Sequence, residues 1–334
     1  MKNIYPPYSK KFRCIAGNCP DTCCAGWEIV VDEKFQEIYK KSSSQAAKDA
    51  VKSMYTDKDG DVCLRLKDGR CPMLNDDNLC RLYIDIGEHA LCDVCRIYPR
   101  FNKEADAMVF SGISLSCPEA ARLILEDKSY GELNSDNIAD EGYTKDIYDI
   151  YLCLRKRIIS GSLFDLSLVS DEIGEAVFFG DIKKACYVAE NPCDPLFLPE
   201  TKDVFNITKE LCGFEILTDE WKKLLSHLSI HLEKAAKDKT YLKKRNEALK
   251  KCASFNETKN IAIYFLYKYM PEAIYEGDTD IMIKMAYLSL CIICEIYAME
   301  IIEIKNLTFE RKLRIAQLFS KEIEHNEDNL EKIF

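Results

Sequence analysis

Seventeen cysteines occur in 334 residues, and ten of them fall between Cys14 and Cys117. The first group reads FRCIAGNCPDTCCAGWEI and holds Cys14, Cys19, Cys23 and Cys24. The second, GRCPMLNDDNLCRLY, holds Cys71 and Cys80, with Cys63 shortly before it. The third, ALCDVCRIYPR, holds Cys92 and Cys95, and Cys117 follows in SLSCPEAARLIL. Thiols this dense are explained by disulfides, by zinc or by an iron–sulfur cluster. The N-terminus, MKNIYPPYSKK, has no apolar run between its charges and prolines, so a secretory leader is not expected and a cytosolic location is. Disulfides do not persist in a reducing cytosol, and an odd cysteine count leaves one thiol over. The expectation is therefore a soft-metal centre.

The spacing carries the argument further. Cys19-x3-Cys23, Cys71-x8-Cys80 and Cys92-x2-Cys95 each bring two thiols together over a short loop or turn. Zinc sites usually show two C-x2-C knuckles, and only one is present. A ligand cysteine followed by proline recurs in ferredoxin-type motifs, and Cys71-Pro72 and Cys117-Pro118 have that form. These features favour a [4Fe–4S] cluster over zinc. Consecutive side chains diverge, so Cys23 and Cys24 are not expected to share one metal ion, and nine thiols besides Cys63 leave room for a second centre. The radical-enzyme run C-x3-C-x2-C is absent. A non-catalytic metal-binding module and an electron-transfer protein are the rival readings.

Other classes are disfavoured by composition. Net charge is -10, which argues against a nucleic-acid backbone as partner. The most apolar stretch, 285–304, is interrupted by Glu295, Glu300 and Glu303, so it reads as a buried helix and no membrane partner is expected.

The fold class expected is mainly α: a cysteine-rich N-terminal module with a short β-hairpin, then a helical C-terminal half. The expected divisions are 1–126, a turn-rich linker at 127–141 and an all-helical 142–334. In the front module, alternation at Val62, Leu64 and Leu66 before Lys67-Asp68-Gly69 predicts a hairpin returning at Cys71. Helices are expected over 33–41, 45–55 and 81–95, a strand pair over 102–114, and a helix from Pro118. Beyond the linker, helical spacing predicts 142–160, 170–190, 202–213, 219–237, 238–254, 257–269, 279–304 and 308–325. Trp221, Leu224, Leu225, Leu228 and Leu232 form one buried stripe. Cys153, Cys186, Cys193, Cys212, Cys252, Cys291 and Cys294 read as core thiols, His227 and His231 as flanks of the packed stripe, and the acidic tail at 322–328 as a solvated helix face.

The motifs DTCCAGWEIVVD, CPML with LC, LCDVCRIYPR and SLSCPEAARLIL together resemble the flagellin lysine-N-methylase family, within the wider CxxCxxCC group of cysteine-rich metal-chelating proteins. The resemblance covers about residues 12–125. It implies a cytosolic enzyme that uses S-adenosylmethionine to methylate lysines of flagellin before export, with an iron–sulfur centre on the N-terminal cysteines. By motif, the metal candidates are Cys14, Cys19, Cys23, Cys24, Cys71, Cys80, Cys92, Cys95 and Cys117. Such chemistry needs an aromatic face for the sulfonium and a partner for the cofactor's carboxylate. Trp27 and Tyr98, with Phe101 nearby, are the candidate walls, and Arg96 and Arg100 the candidate carboxylate ligands. No glycine-rich strand–loop–helix signature accompanies them.

Overall fold

The computed structural model describes residues 1–27, 29–134, 142–192 and 197–333. Cys193 and the 135–141 part of the expected linker lie outside the described residues. The chain is mainly helical, with two small three-stranded sheets. It forms two compact units. One comprises 13–101 and 117–119 and holds the nine candidate ligands. The other comprises 1–12, 102–116 and 120–334.

In the cysteine-bearing unit the middle strand Val62–Leu64 pairs antiparallel with both Ile29–Val30 and Met54–Thr56. The expected Asp68-Gly69 turn is present, closed by Lys67 against Arg70. Its arms differ from expectation, because Val62–Leu64 takes its partners from 29–30 and 54–56 and not from the strand returning at Cys71. Helices Glu33–Lys41 and Gln45–Ser53 stand where helical spacing placed them, the second capped by Ser44, whose hydroxyl accepts from the Ala47 N–H. The expected 81–95 helix is broken into Arg81–Asp85, a single turn Glu88–Ala90, and Asp93–Ile97. Gly87, at φ 108°, is the break, a conformation that no helix interior accommodates. Val31, Phe35, Tyr39, Ala47, Ala50, Leu64 and Met73 form this unit's apolar core.

In the helical unit, Lys2–Ile4 pairs parallel with Met108–Ile113, whose other neighbour is Arg100–Ala105. The unit is organised around Asp280–Glu303. That helix packs against Asn256–Lys268, Lys239–Ala253, Leu166–Phe178, Met270–Glu276 and Phe309–Glu324. It is long and apolar enough to span a bilayer, but most of its surface is buried inside the protein. The Trp221 stripe lies on Asp219–Lys237 and is buried throughout, with Thr218 capping the helix through the Trp221 N–H. The expected 170–190 helix is two, Leu166–Phe178 and Ile182–Glu190, separated where Gly180 takes φ 73°.

Cys252, Cys291 and Cys294 are buried, whereas Cys153 and Cys186 are half-buried and Cys212 is exposed. The acidic tail is solvated only in part: Asp328 is exposed, whereas Glu322 is buried. Glu322 is 1% exposed and accepts from the Leu217 N–H (2.7 Å) and the Thr218 hydroxyl (2.5 Å). Burying a carboxylate there is tolerated because both contacts satisfy it.

Candidate functional site

Local backbone pairing decides which thiols meet. The Gly26 N–H donates to the Gly69 carbonyl (3.0 Å) and the Cys71 N–H to the Cys24 carbonyl (2.8 Å), which lays the Cys23–Gly26 loop along the 67–70 turn. Cys24 and Cys71 are thereby neighbours. The 72–80 loop closes on itself: Asn75 Oδ1 accepts from the Asp77 and Leu79 N–H groups, and Leu74 bridges to Cys80. The Arg81 guanidinium ties the loop down through the Pro72 carbonyl and Asp49, both at 2.9 Å. Cys92 and Cys95 lie one turn apart at the start of Asp93–Ile97, with their sulfurs 3.3 Å apart.

Five thiols therefore converge on the apolar core of this unit: Cys24, Cys71, Cys80, Cys92 and Cys95. Burial pushes the Cys71 thiol up to about 12, against an opposing hydrogen bond from the Met73 N–H, and the nearby Cys24, Cys80 and Cys92 add like-charge repulsion. Cys80 and Cys95 are raised too, Cys80 first by burial and Cys95 first by its bond to Cys92. Cys24 is held down at about 7, first by the hydrogen bond from Cys23, then by Thr22 and the charge of Arg70, although burial acts the other way. The repulsion is what a cationic inorganic core relieves.

Cys23 stands at the edge of the five, its thiol hydrogen-bonded to Cys24, with Cys14 and Cys117 also near it. Cys14 is exposed and accepts from the Ala16 N–H (3.4 Å), while Cys19 lies on the Asp21 carbonyl (3.1 Å). Cys63 is buried and packs 3.7 Å from Asp57. The donor set is wholly sulfur, which suits iron–sulfur or zinc chemistry. Among the described residues no three His, Cys, Asp or Glu side chains are arranged to hold a metal ion as they stand. Zinc needs its sulfurs at about 2.3 Å from one point, whereas a four-iron cluster is held by four thiolates around a larger body.

Trp27 packs against this core and meets Tyr98 with ring centroids 5.4 Å apart. Arg96 forms a half-exposed ion pair with Asp93 (2.6 Å), and Arg100 is exposed. The aromatic pair thus borders the thiols, while the Arg96 guanidinium already has a carboxylate.

The helical unit holds a second polar cluster that periodicity did not reveal. Glu324 is buried and receives Lys268 (2.6 Å), the Tyr264 and Tyr269 hydroxyls (3.4 Å each) and Ser320. Burial, then the charge of Glu324, holds both tyrosines well above their ordinary pKa. His325 meets the Ser116 hydroxyl (2.6 Å), and Gln317 donates to the Ser116 carbonyl (2.7 Å). The run IAIYFLYKYM, with three tyrosines and a lysine inside a buried helix, is the signal that marks it. Glu324 has a partner on each side, so the cluster reads as a satisfied tie between Asn256–Lys268, Phe309–Glu324 and the 114–116 segment. His231 is likewise a satisfied core residue, bonded to Tyr241 and Glu295 at 3.0 Å each, and His227 is exposed.

The model of the FliB lysine N-methylase C-terminal domain matches residues 153–334. Lysine-N-methylases of Salmonella choleraesuis (strain SC-B67) and Salmonella typhimurium (strain LT2) are 28% and 27% identical over 224 residues, which is 64% of this chain and 55% of each relative. The flagellar biosynthetic protein FliU of Salmonella muenchen is 31% identical over 128 residues, 36% of this chain and 76% of that protein. The chain spans about half the length of the lysine-N-methylases it matches. No solved structure matches it. Because the matched region takes in more than half of the sequence, including the buried helix at the centre of the helical unit, the chain belongs to the FliB lysine N-methylase family.

Proposed function

We propose that this chain is a protein-lysine N-methyltransferase that works in the cytosol, takes its methyl group from S-adenosylmethionine and modifies flagellin. We also propose that it carries a [4Fe–4S] cluster on its N-terminal cysteines. The observation that carries the reading is the match to lysine-N-methylases, joined to a five-thiol grouping inside one small core. The name of the FliU relative, a flagellar biosynthetic protein, supports a flagellar substrate.

The chemistry sets requirements that the residues meet in part. The lysine nitrogen attacks the methyl carbon with its lone pair, the carbon–sulfur bond breaks, and the thioether leaves as the nitrogen gives up its proton. Free lysine has a pKa of about 10.4, so the site must desolvate the amine or supply a base. Trp27 and Tyr98 offer aromatic faces to the sulfonium, and Arg96 and Arg100 offer guanidinium groups to the cofactor's carboxylate. Arg96 would have to exchange Asp93 for it. Cys24, Cys71, Cys80, Cys92 and Cys95 would hold the cluster, which supplies a positive core among clustered thiolates.

Anaerobically purified protein should contain about four irons with matching sulfide per chain. It should also transfer label from S-adenosylmethionine to purified flagellin. Cys92→Ala and Cys95→Ala should lose the iron, and Cys19→Ala should keep it. One zinc with no iron would overturn the cluster, and absence of transfer by iron-loaded protein would overturn the enzyme.

A further inference from the structure

Two cysteines of the helical unit stand apart from both the N-terminal thiols and the apolar core. Cys153 lies on Tyr143–Ser160 and Cys186 on Ile182–Glu190, helices that pack against each other. Polar contacts set their register. Arg157 donates to the Val188 (3.0 Å) and Asn191 (2.8 Å) carbonyls, and Lys156 pairs with Glu190 (3.4 Å). Cys153 comes one turn before Arg157, and Cys186 one turn before Glu190, so this register brings the two side chains together. Cys153 donates its S–H to Glu190 Oε2 (3.8 Å), and the two thiols hydrogen-bond to each other.

Both are half-buried, so a small reagent in solution reaches them. The other described thiols of this unit lack either access or a partner thiol. Cys252, Cys291 and Cys294 lie near one another but are fully buried. Cys212 is exposed, with Ser229 beside it. No third His, Cys, Asp or Glu among the described residues joins Cys153 and Cys186 in an arrangement that could hold a metal ion. Burial first, then the neighbouring Cys186 and Glu190, push the Cys153 thiol up to about 12, against the charge of Lys156. Burial raises Cys186 as well, helped by Asp149 and Asp146 and opposed by Cys153 and Lys145. Thiols held protonated react slowly, because the thiolate is the nucleophile. The same surroundings leave the reduced form without a stabilised thiolate, so a disulfide here resists reduction.

We propose that Cys153 and Cys186 are an oxidation site, closing a disulfide that ties Tyr143–Ser160 to Ile182–Glu190 when the chain meets a low-molecular-weight disulfide such as oxidised glutathione. One protein thiolate attacks the glutathione disulfide, a bond from protein sulfur to glutathione sulfur forms, and one reduced glutathione leaves. The second protein thiolate attacks the protein sulfur of that mixed disulfide, and a second reduced glutathione leaves. The protein gives up two electrons and two protons, and one oxidised glutathione becomes two reduced ones. The bond closes a loop of about thirty residues, which holds Leu166–Phe178 and restricts the unfolded chain. The site is independent of the lysine-methylase reading.

The test uses the full-length chain purified anaerobically. It is incubated with excess oxidised glutathione, remaining thiols are alkylated with N-ethylmaleimide, and the chain is cut with chymotrypsin without reduction. Tyr187 lies between Cys186 and Cys193, so the cut separates them, and tandem mass spectrometry should find Cys153 linked to Cys186. Linkage should speed up about tenfold per pH unit above neutrality, as the thiolate fraction does. The thermal midpoint of the helical unit, read from Trp221 in a Trp27→Phe background, should rise by about 5–10 °C. Dithiothreitol should return it. Cys153→Ser and Cys186→Ser should each lose both the linked peptide and the rise. Cys153 and Cys186 recovered as maleimide adducts while exposed Cys212 carries glutathione would overturn the proposal. So would glutathione on either with no bond between them, or linkage of either to Cys193 instead. A linked chain with an unchanged or lower midpoint would also overturn it, since the thiols would then meet only in a distorted fold.

Discussion

Glu295 is fully buried in the Asp280–Glu303 helix, yet it is ionised by design of its surroundings. Arg245 binds both of its oxygens at 2.8 Å, and His231 adds a third contact at 3.0 Å. Burial alone would raise its pKa, but the bond from His231 and the charge of Arg245 outweigh that and hold it below the ordinary glutamate value. The unfolded chain therefore binds the proton more readily than the folded one. The stability this carboxylate contributes is complete above about pH 4.3, the unfolded value, and is lost as pH falls through the lower folded value. Glu295→Gln strands a buried guanidinium and should cost about 3–5 kcal/mol at pH 7. Its urea midpoint should also fall less steeply with acid than that of the parent. Trp221, on the same helix as His231, reports both in a Trp27→Phe background. An unchanged midpoint at pH 7 would show that the ion pair contributes nothing.

At the scale of elements, two expected helices are each divided by a glycine with positive φ. Gly180 has open space where a Cβ would go, so the cost of Gly180→Ala is backbone strain alone, about 1–2 kcal/mol. Were 170–190 one continuous helix, the same change would stabilise it by a similar amount, so the sign of the shift in urea midpoint decides between them. The Asp280–Glu303 helix behaves differently, because it is buried on nearly every side. Leu290 is fully buried, and Leu290→Ala should cost about 2–5 kcal/mol. A loss below 1 kcal/mol would mean that the helix is not the centre of the unit. Its interior acids are affordable only because arginines from other helices reach them: Arg245 for Glu295, and Arg311 for Glu300 at 2.6 Å.

For the molecule as a whole, each unit has its own apolar core and its own tryptophan. Trp221 is buried among the helices and Trp27 packs beside the thiols. Removing the proposed cluster by chelation under reducing conditions should leave five thiols in the smaller core with nothing bridging them. Trp27 should then become accessible to iodide while Trp221 stays protected, read from Trp27→Phe and Trp221→Phe variants. Equal protection of Trp27 before and after stripping would show that the thiols pack as ordinary core residues.

The sequence by itself determined the helical class, the position of most helices and the density of thiols, because periodicity and cysteine spacing are local properties. It also carried the family resemblance, in motifs that span the first third. It placed the break in neither divided helix, since apolar spacing continues across Gly87 and Gly180 and only the backbone angle ends the helix. Tertiary structure alone decided that residues 1–12 and 102–116 belong with the helical unit: Lys2–Ile4 pairs with Met108–Ile113, and the Tyr267 hydroxyl donates to the Ile4 and Ser111 carbonyls. It also sorted the nine thiols, placing Cys24 in the core of five and Cys23 at its edge, near Cys14 and Cys117. Glu322 and Glu324 read as solvated charges in the tail and proved to be buried acceptors. Their partners, Thr218, Tyr264 and Lys268, lie more than fifty residues away, and contacts at that distance leave no mark on local pattern.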